Sequence, residues 1–284
     1  MKSFNGKVSA ITGAGSGIGR ALAIDLAGRG SHLALSDINT EGLAETVSLC
    51  EGRGVKVTSQ RVDVADRQAV FAWAAEVVAD HGRVNLIFNN AGVAVVSTVE
   101  AVSYEDFEWL MGINFWGVVH GTKAFLPHLK ASGDGHVVNV SSVFGLMGIP
   151  GQSAYNAAKF AVRGFTDSLR IELEIEGANV SATTIHPGGI KTNIARGARA
   201  NDSMAVLTGE STTDEADLGS EFDKMAMTTP EKAARQILSA VERDRRRVLV
   251  GPDAKVIDLI SRLPAAAYQR PIIGAVKLSR RRRR

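Results

Sequence analysis

The sequence is short of cysteine. Its 284 residues include only Cys50, so no disulfide can form within the chain, and so few thiols suit a reducing compartment. The sequence also lacks a run of about eighteen uncharged apolar residues, the length that a membrane-spanning helix needs. Residues 1–13 lead almost at once into a strand-like segment and leave no room for the apolar core of a signal peptide. We therefore expect a cytoplasmic protein.

Most of the chain also lacks an excess of charge of one sign. The formal net charge is +3, but five arginines at 280–284 account for it, because the rest of the chain holds 28 basic and 30 acidic residues. A nucleic-acid-binding domain would spread basic residues over a surface. We therefore expect no nucleic-acid partner.

Patterns typical of metal ligands are missing as well. No two of the histidines have the helical spacing of metal ligands, and no acid-rich cluster accompanies them. The sequence predicts no metal site and a structural role for His186, which precedes Pro187. The histidines are His32, His81, His120, His128, His136 and His186.

What the sequence does contain is an alternation of strand-like and helix-like segments. This alternation predicts parallel strands joined by right-handed crossovers, with helices on both faces of an α/β sheet. The predicted strands are 7–12, 32–36, 56–62, 84–88, 135–140, 179–185 and 248–251, and the clearest predicted helices are 18–29, 68–81, 104–130 and 155–176.

Two regions depart from this alternation. Residues 192–229 are polar and short of strand signals, which predicts a flexible flap within a single domain at 1–251. Thr229 and Pro230 then resemble a helix N-cap and first helical residue. Residues 252–284 form a C-terminal extension with an Arg-rich tail and an amphipathic helix, whose apolar stripe is Val256, Ile257, Leu259, Ile260 and Leu263, closed by Pro264.

A glycine-rich turn lies between the first predicted strand and helix. In ITGAGSGIGR, glycines can let the backbone approach a pyrophosphate, and the helix N-terminus offers N–H groups and positive potential. The spacing departs from G-x-G-x-x-G, and no Lys-Ser/Thr follows to make a P-loop. Tight packing alone is the alternative. The candidate cofactor-binding residues here are Gly13, Ser16, Gly17, Ile18 and Gly19.

Asp37 closes the second predicted strand, eighteen residues after Gly19. An acid at this position can bind the ribose hydroxyls of NAD and repel the 2′-phosphate of NADP. The alternative is an ordinary turn or capping aspartate. Because no lysine or arginine lies inside the glycine turn or directly after Asp37, the sequence favours NAD.

Together with these features, a series of short motifs resembles the classical short-chain dehydrogenase/reductase family over about residues 5–250. The motifs are TGAGSGIG, DV, NNAG, GINFWG, VNVSS, YNAAK and PGGIKT, with Ser142 thirteen residues before Tyr155. The resemblance implies a Rossmann-like, doubly wound, mostly parallel seven-stranded sheet and a homodimer or homotetramer formed through the two long helices. It also implies cofactor contacts from Asp63, Val64, Asn90, Tyr155, Lys159, Pro187, Gly188, Ile190 and Thr192.

The same resemblance implies an oxidoreductase that interconverts an alcohol and a carbonyl, with Asn114, Ser142, Tyr155 and Lys159 as its catalytic residues. Tyr155 and Lys159 are four apart and share a helix face. We expect the ammonium to lower the tyrosine pKa from about 10 toward the working range, so that Tyr155 can exchange a proton. Ser142 would bind the substrate oxygen, and Asn114 would anchor a water beside Lys159.

Apolar residues near these motifs suggest an apolar ketone or secondary alcohol as the substrate, although they could equally be core. They are Val93, Val95, Val96, Val143, Phe144, Met147 and Ile149, with Met204, Val206 and Leu207 from the flap.

The tail leaves several interpretations open. Ile272, Ile273, Val276 and Leu278 with the five arginines could contact an anionic membrane. A solvated, disordered tail is the simpler expectation, and a subunit contact is a third. For the whole protein, the alternatives are a non-catalytic dinucleotide-binding regulator, an NADP-dependent carbonyl reductase, an adaptor acting through the tail, and an epimerase or dehydratase of the extended relatives.

Overall fold

The computed structural model describes residues 1–209, 219–220, 224, 226–262 and 267–282, with side chains as far as 278. Within these residues the large sheet has seven strands in the order β3-β2-β1-β4-β6-β7-β9, all paired in parallel. They are β1 (Val8–Thr12), β2 (His32–Asp37), β3 (Val57–Arg61), β4 (Leu86–Asn89), β6 (Gly135–Val140), β7 (Val180–Pro187) and β9 (Arg247–Val250).

Helices cover both faces of this sheet, which confirms the doubly wound α/β fold. On one face α1 and α8 pack over β1, β2 and β4, and on the other face α3, α5 and α6 do so. Because both faces are covered, β1 is buried throughout and reads as an unbroken buried strand. The helices of the main body are α1 (Gly17–Gly28), α2 (Thr40–Cys50), α3 (Arg67–His81), α4 (Tyr104–Met111), α5 (Gly117–Ala131), α6 (Ser153–Glu176), α7 (Ala205–Thr208) and α8 (Pro230–Glu242).

Local signals set several of these boundaries. The Asp66 side chain accepts hydrogen bonds from the first backbone N–H groups of α3, and Thr229 caps α8 as its sequence predicts. The predicted helix at 104–130 is continuous, but Gly112–Trp116 widens into a π-helix between α4 and α5. A π-helical turn inside a helix is frequently found at functional sites.

The flap is more regular than its sequence suggests. Strand β8 (Arg199–Ala200) pairs with β5 (Val95–Val96), and the chain then forms a 3₁₀ turn followed by α7. Residues 210–218, 221–223 and 225 lie outside the described residues. The flexibility of the flap therefore stays a prediction.

The C-terminal extension contains α9 (Pro252–Ser261) and α10 (Gln269–Arg282). The expectation of a solvated, disordered tail is wrong for residues 269–282, because α10 packs against α7. In α9, Ala254 and Asp258 face inward, whereas Val256 and Leu259 are 58% and 69% exposed. Asp258 is drawn inward by its ion pairs with Arg247 and Arg262. Leu263 and Pro264 lie outside the described residues.

None of the helices in the described parts of the chain is long and apolar enough to cross a membrane.

Candidate active site

The candidate site residues follow the carboxyl ends of parallel strands. The glycine turn follows β1, Asp37 ends β2, Asn90 follows β4, Ser142 follows β6, and Pro187 ends β7. Since parallel strands present their carboxyl ends at one edge of a sheet, residues distant in sequence meet there.

The glycine turn is built for close backbone packing. Gly13 and Gly17 have φ of +66° and +52°, a region that glycine enters without steric cost. A Cβ on Gly13 would lie 2.8 Å from the Cα of Ala91, and one on Gly19 would collide with the Gly13 carbonyl oxygen. Ser16 is the N-cap of α1 but its side chain makes no capping hydrogen bond. The first turn of α1 can therefore direct its backbone N–H groups to an anion.

Asp37 accepts hydrogen bonds from the backbone around it and can still accept more from a ligand. Its two carboxylate oxygens accept hydrogen bonds from the backbone N–H groups of Gly15, at 2.8 Å, and Asn39, at 2.9 Å. A carboxylate has about four acceptor positions, so two remain for the hydroxyls of a ribose.

Arg20 is a cation near this position that sequence reasoning did not consider. Its guanidinium donates to the carbonyl oxygens of Gly15, at 2.5 Å, and Gly42, at 3.2 Å, and it pairs with Glu45 at 2.7 Å. These contacts direct Arg20 to the backbone of the turn. The sequence feature that could have indicated these contacts is the position of Arg20 in the first turns of α1, directly after the glycines.

Asn90 braces the glycine turn. Its amide donates to the carbonyl oxygens of Thr12 and Gly13, at 3.0 and 3.1 Å. Asp63 accepts a hydrogen bond from the N–H of Ala65, and Val64 is buried against Gly117. The cofactor contacts of these residues stay predictions.

Ser142, Tyr155 and Lys159 come together between β6 and α6. Ser142 Oγ accepts a hydrogen bond from the N–H of Phe144 at 3.1 Å and lies near enough to the Tyr155 hydroxyl to favour its ionised form. Lys159 lies one turn after Tyr155, with Nζ 5.4 Å from the centre of the tyrosine ring. The predicted catalytic trio therefore forms one cluster.

The expected lowering of the tyrosine pKa is not found in this cluster. Tyr155 is half-buried. Burial raises the pKa of its hydroxyl to about 12, although hydrogen bonding by Ser142 acts in the opposite direction. Lys159 is 3% exposed, and burial lowers its pKa to about 8. The position of Lys159 explains why the tyrosine pKa is not lowered. The Lys159 ammonium faces the tyrosine ring and donates to the Val140 carbonyl oxygen at 2.9 Å.

Asn114 lies in the π-helical segment and is fully buried. Its amide group makes two 2.8 Å hydrogen bonds with the backbone of Val93, one from the Val93 N–H and one to the Val93 carbonyl oxygen. A Cβ on Gly92 would touch both Asn114 Oδ1 and Lys159 Nζ, at 3.3 and 3.6 Å. Asn114 therefore fixes the strand-to-loop connection beside Lys159, and its water-binding role stays a prediction.

Two residues outside the predicted set hold the Ser142 loop. Asn156 donates to the carbonyl oxygens of Phe144 and Met147 and accepts from the N–H of Ile149, at 2.7, 3.0 and 3.0 Å. His186 donates from Nδ1 to the Ser142 carbonyl oxygen at 2.8 Å, and burial lowers its pKa to about 4, so the ring is neutral. His186 thus has the structural role that its sequence position suggests. The position of Asn156 inside the YNAAK motif is the sequence feature that could have pointed to its role in this loop.

The loop after β7 is fastened from two sides. Ile190 forms a bridge with Thr228, and Gly189 donates to Asp253 Oδ2 at 2.6 Å. Thr192 lies against Gly17, since a Cβ there would be 3.0 Å from its methyl carbon. Of the predicted residues after β7, the structure therefore places Thr192 against the glycine turn, and the cofactor contacts of Pro187, Gly188, Ile190 and Thr192 stay predictions.

The predicted substrate-facing residues divide into two groups. Val95 packs with Leu110, Ala154 and Ala158, so for Val95 the structure shows the core alternative. The flap instead borders a cavity of about 440 Å³ that no catalytic side chain lines. Its lining residues are Thr98, Val99, Glu100, Ala101, Pro150, Gly151, Ser203, Val206 and Leu207.

Comparison with known proteins identifies the family. Residues 7–203 match the family model described as short chain dehydrogenase. A putative oxidoreductase, SadH, of Mycobacterium tuberculosis is 50% identical over 277 residues, 97% of each chain. A C alpha-dehydrogenase of Sphingobium sp. is 33% identical over 257 residues, 90% of this chain and 84% of the relative. This chain belongs to the short-chain dehydrogenase/reductase family and is an oxidoreductase of that class.

A solved structure agrees with the fold. The short chain dehydrogenase/reductase of Burkholderia phymatum in complex with NAD superimposes with a TM-score of 0.82 at 32% identity, covering 92% of this chain and 94% of the other. The seven-stranded sheet and the family resemblance inferred from the motifs are thereby confirmed.

Proposed function

We propose that the protein transfers a hydride between NAD(H) and an apolar secondary alcohol or ketone, with Tyr155 as the general acid and base. The observation that carries this proposal is the cluster of Ser142, Tyr155 and Lys159, in which the serine hydroxyl lies near the tyrosine hydroxyl and a buried cation lies over the tyrosine ring.

Each residue of the cluster has a chemical role. NAD(H), when bound, accepts or supplies the hydride. During reduction Tyr155 donates its hydroxyl proton to the substrate oxygen, and during oxidation it takes that proton back. Ser142 stabilises charge that develops on the same oxygen. Lys159 favours the phenolate of Tyr155 whenever the lysine carries its charge.

The cofactor preference rests on Asp37. Its carboxylate lies beside the N–H of Gly15 at the mouth of the glycine turn, where it would bind ribose hydroxyls and repel an added phosphate. The nearby Arg20 is engaged with the turn and with Glu45. The NAD-bound state of the Burkholderia relative supports the same choice.

We also propose that the protein forms a homodimer or homotetramer through its long helices. Trp116, Phe160 and Ile171 are 51%, 42% and 55% exposed along this part of the surface. Burying such side chains against a second copy is favourable. Light scattering of the wild type and of Ile171→Asp tests this arrangement, and a monomeric wild type would contradict it.

The central experiment follows NADH absorbance over a panel of apolar secondary alcohols and ketones, with wild type and Tyr155→Phe in parallel. We expect turnover by the wild type and a loss of about 10²–10⁴ in kcat in the variant, the usual contribution of a positioned acid or base. NADH fluorescence measures binding separately. If NADH binds and no compound turns over, a non-catalytic dinucleotide-binding protein replaces this proposal.

A further inference from the structure

The C-terminal helix α10 separates an inward apolar side from an outward basic side. Ile272 and Val276, four residues apart, are half-buried, as is Tyr268 one turn earlier, whose hydroxyl accepts from the N–H of Gly148 at 3.3 Å. Gly148 belongs to the loop between Ser142 and Tyr155. Helix α10 therefore lies over the flap and the catalytic loop.

The opposite side, which we call the α10 outer face, combines cations with apolar groups. It consists of Arg270, Ile273, Lys277 and Leu278, all exposed, with Ile273 and Leu278 at 50% and 52%. Arg270 and Lys277 are seven apart and so project in nearly the same direction from a helix, flanked by the two apolar side chains. An exposed face of this composition has no stabilising partner within the described residues.

Charge along the extension is strongly one-sided. From residue 259 onward the sequence has eight lysines and arginines and no aspartate or glutamate. The preceding acid, Asp258, is neutralised by Arg247 and Arg262. The extension therefore has the charge that an anionic surface attracts, whereas the rest of the chain has 25 basic and 30 acidic residues.

We propose that the α10 outer face docks on an anionic lipid membrane. The apolar side chains decide between this partner and a nucleic acid, because Ile273 and Leu278 can enter the acyl boundary but add nothing to phosphate binding. Docking would bring the flap, which lies beneath the inner side of α10, close to the membrane, where apolar substrates dissolve.

The benefit of docking rests on the proposed apolar substrate, but docking itself does not. The test is flotation of the full-length protein with phosphatidylcholine vesicles, with and without phosphatidylglycerol. We expect binding only to the anionic vesicles, weakened by salt.

Two double variants separate the contributions. We expect Arg270→Glu with Lys277→Glu to lower vesicle partitioning by about tenfold or more, since each surface cation matters severalfold. Ile273→Asp with Leu278→Asp should have an effect of about the same size, because it removes the inserted apolar groups. Turnover in detergent-dispersed substrate should change little in both.

Matched control variants lie elsewhere on the surface. Leu49→Asp places a charge on α2, where Leu49 is 46% exposed, and Lys123→Glu with Lys232→Glu reverses two other exposed cations. These should bind vesicles like the wild type. Equal losses in controls and test variants would overturn the proposal, as would binding to duplex DNA that is unaffected by the Ile273 and Leu278 changes.

A second inference rests on a different contact, between Asp253 and the loop after β7. Asp253 lies in the first turn of α9, and Oδ2 accepts from the N–H of Gly189 at 2.6 Å. The carboxylate lies so close to Gly188 that a Cβ there would collide with it. Gly188 in turn donates to the Val250 carbonyl oxygen at 2.9 Å.

From this contact we infer that Asp253 is a positioning residue for the nicotinamide side of the cofactor cleft. By fixing the Gly188–Gly189 backbone it orients the loop that ends at Thr192, opposite the glycine turn. The inference rests on the proposed binding of NAD(H) there, and NADH fluorescence tests it without requiring turnover.

The variants are Asp253→Ala and Asp253→Asn. Loss of a hydrogen bond to a charged group should weaken NADH binding by about tenfold in the alanine variant, with a larger rise in KM for NAD than fall in kcat. Asparagine keeps an acceptor oxygen and should restore most of the affinity. Wild-type affinity in the alanine variant, or an equal loss in both variants together with a lowered Tm, would overturn the inference.

Discussion

The Lys159 ammonium donates a 2.9 Å hydrogen bond to the Val140 carbonyl oxygen and lies 5.4 Å from the centre of the Tyr155 ring. It therefore lies over the tyrosine ring, with its hydrogen bond directed to the backbone. This placement explains why burial determines the pKa of both groups, raising that of Tyr155 to about 12 and lowering that of Lys159 to about 8.

The first prediction concerns ionisation of Tyr155. The sequence has three tyrosines, so the tyrosinate ultraviolet spectrum of wild type minus Tyr155→Phe isolates this one. Without cofactor we expect no Tyr155 tyrosinate at pH 10, because its pKa is raised to about 12. Oxidised NAD adds positive charge and should shift the titration to lower pH. Tyrosinate from Tyr155 near neutral pH in the free protein would contradict this.

The second prediction concerns cofactor choice at Asp37. We expect Asp37→Ala to reduce the NAD to NADP ratio of kcat/KM by about ten- to a hundredfold, because it removes ribose acceptors and the repulsion of a 2′-phosphate. Asp37→Asn is the matched control, since it can still accept a hydrogen bond from Gly15 or Asn39 without the charge. An unchanged ratio in the alanine variant would limit Asp37 to its turn-forming role.

The third prediction compares two glycines. Gly19→Ala should abolish measurable NADH binding, because its Cβ would collide with the Gly13 carbonyl oxygen. Gly164→Ala in α6 meets no atom within 4 Å and should raise the free energy of unfolding by about 1 kcal/mol through helix propensity. NADH fluorescence and urea unfolding measure the two effects. Normal cofactor binding in the Gly19 variant would show that the turn can relax.

The fourth prediction concerns acid stability. Burial lowers the pKa of both His136 and His186 from 6.5 to about 4. The unfolded chain therefore binds more protons between these values, and stability falls as pH decreases through this window. Each histidine can contribute up to ~3 kcal/mol of this loss.

Urea unfolding between pH 7 and pH 4 measures that dependence. We expect a shallower slope with pH in His136→Gln than in the wild type, whatever its stability at pH 7. Identical slopes in the two proteins would mean that burial of His136 does not control acid unfolding.

Much of the fold and site could be predicted from local patterns. The strand at 135–140 matches β6, and the other predicted strands differ from the observed ones only near their ends. Buried parallel strands and capped helices leave clear signals because hydrophobic periodicity and capping act over neighbouring residues. The family resemblance likewise predicted that Ser142, Tyr155 and Lys159 act together, and the structure places them in one cluster.

The extension shows where local patterns are insufficient. The apolar stripe of α9 gave no sign that Val256 and Leu259 are exposed while Asp258 faces inward, where Arg247 of β9 pairs with it. The partner comes from a different element, so no local pattern indicates it.

The sequence by itself determined the alternating α/β order and the glycine turn, because short-range spacing controls these, and its family resemblance supplied the members of the proposed catalytic cluster. Tertiary structure alone decided what the side chains contact: Lys159 on the Val140 carbonyl oxygen, Asn156 on the Ser142 loop, and Asp253 on Gly189. Such contacts depend on which elements pack together. Burial there also sets the direction of the Tyr155 pKa shift, since desolvation outweighs the charge that sequence spacing alone brings near.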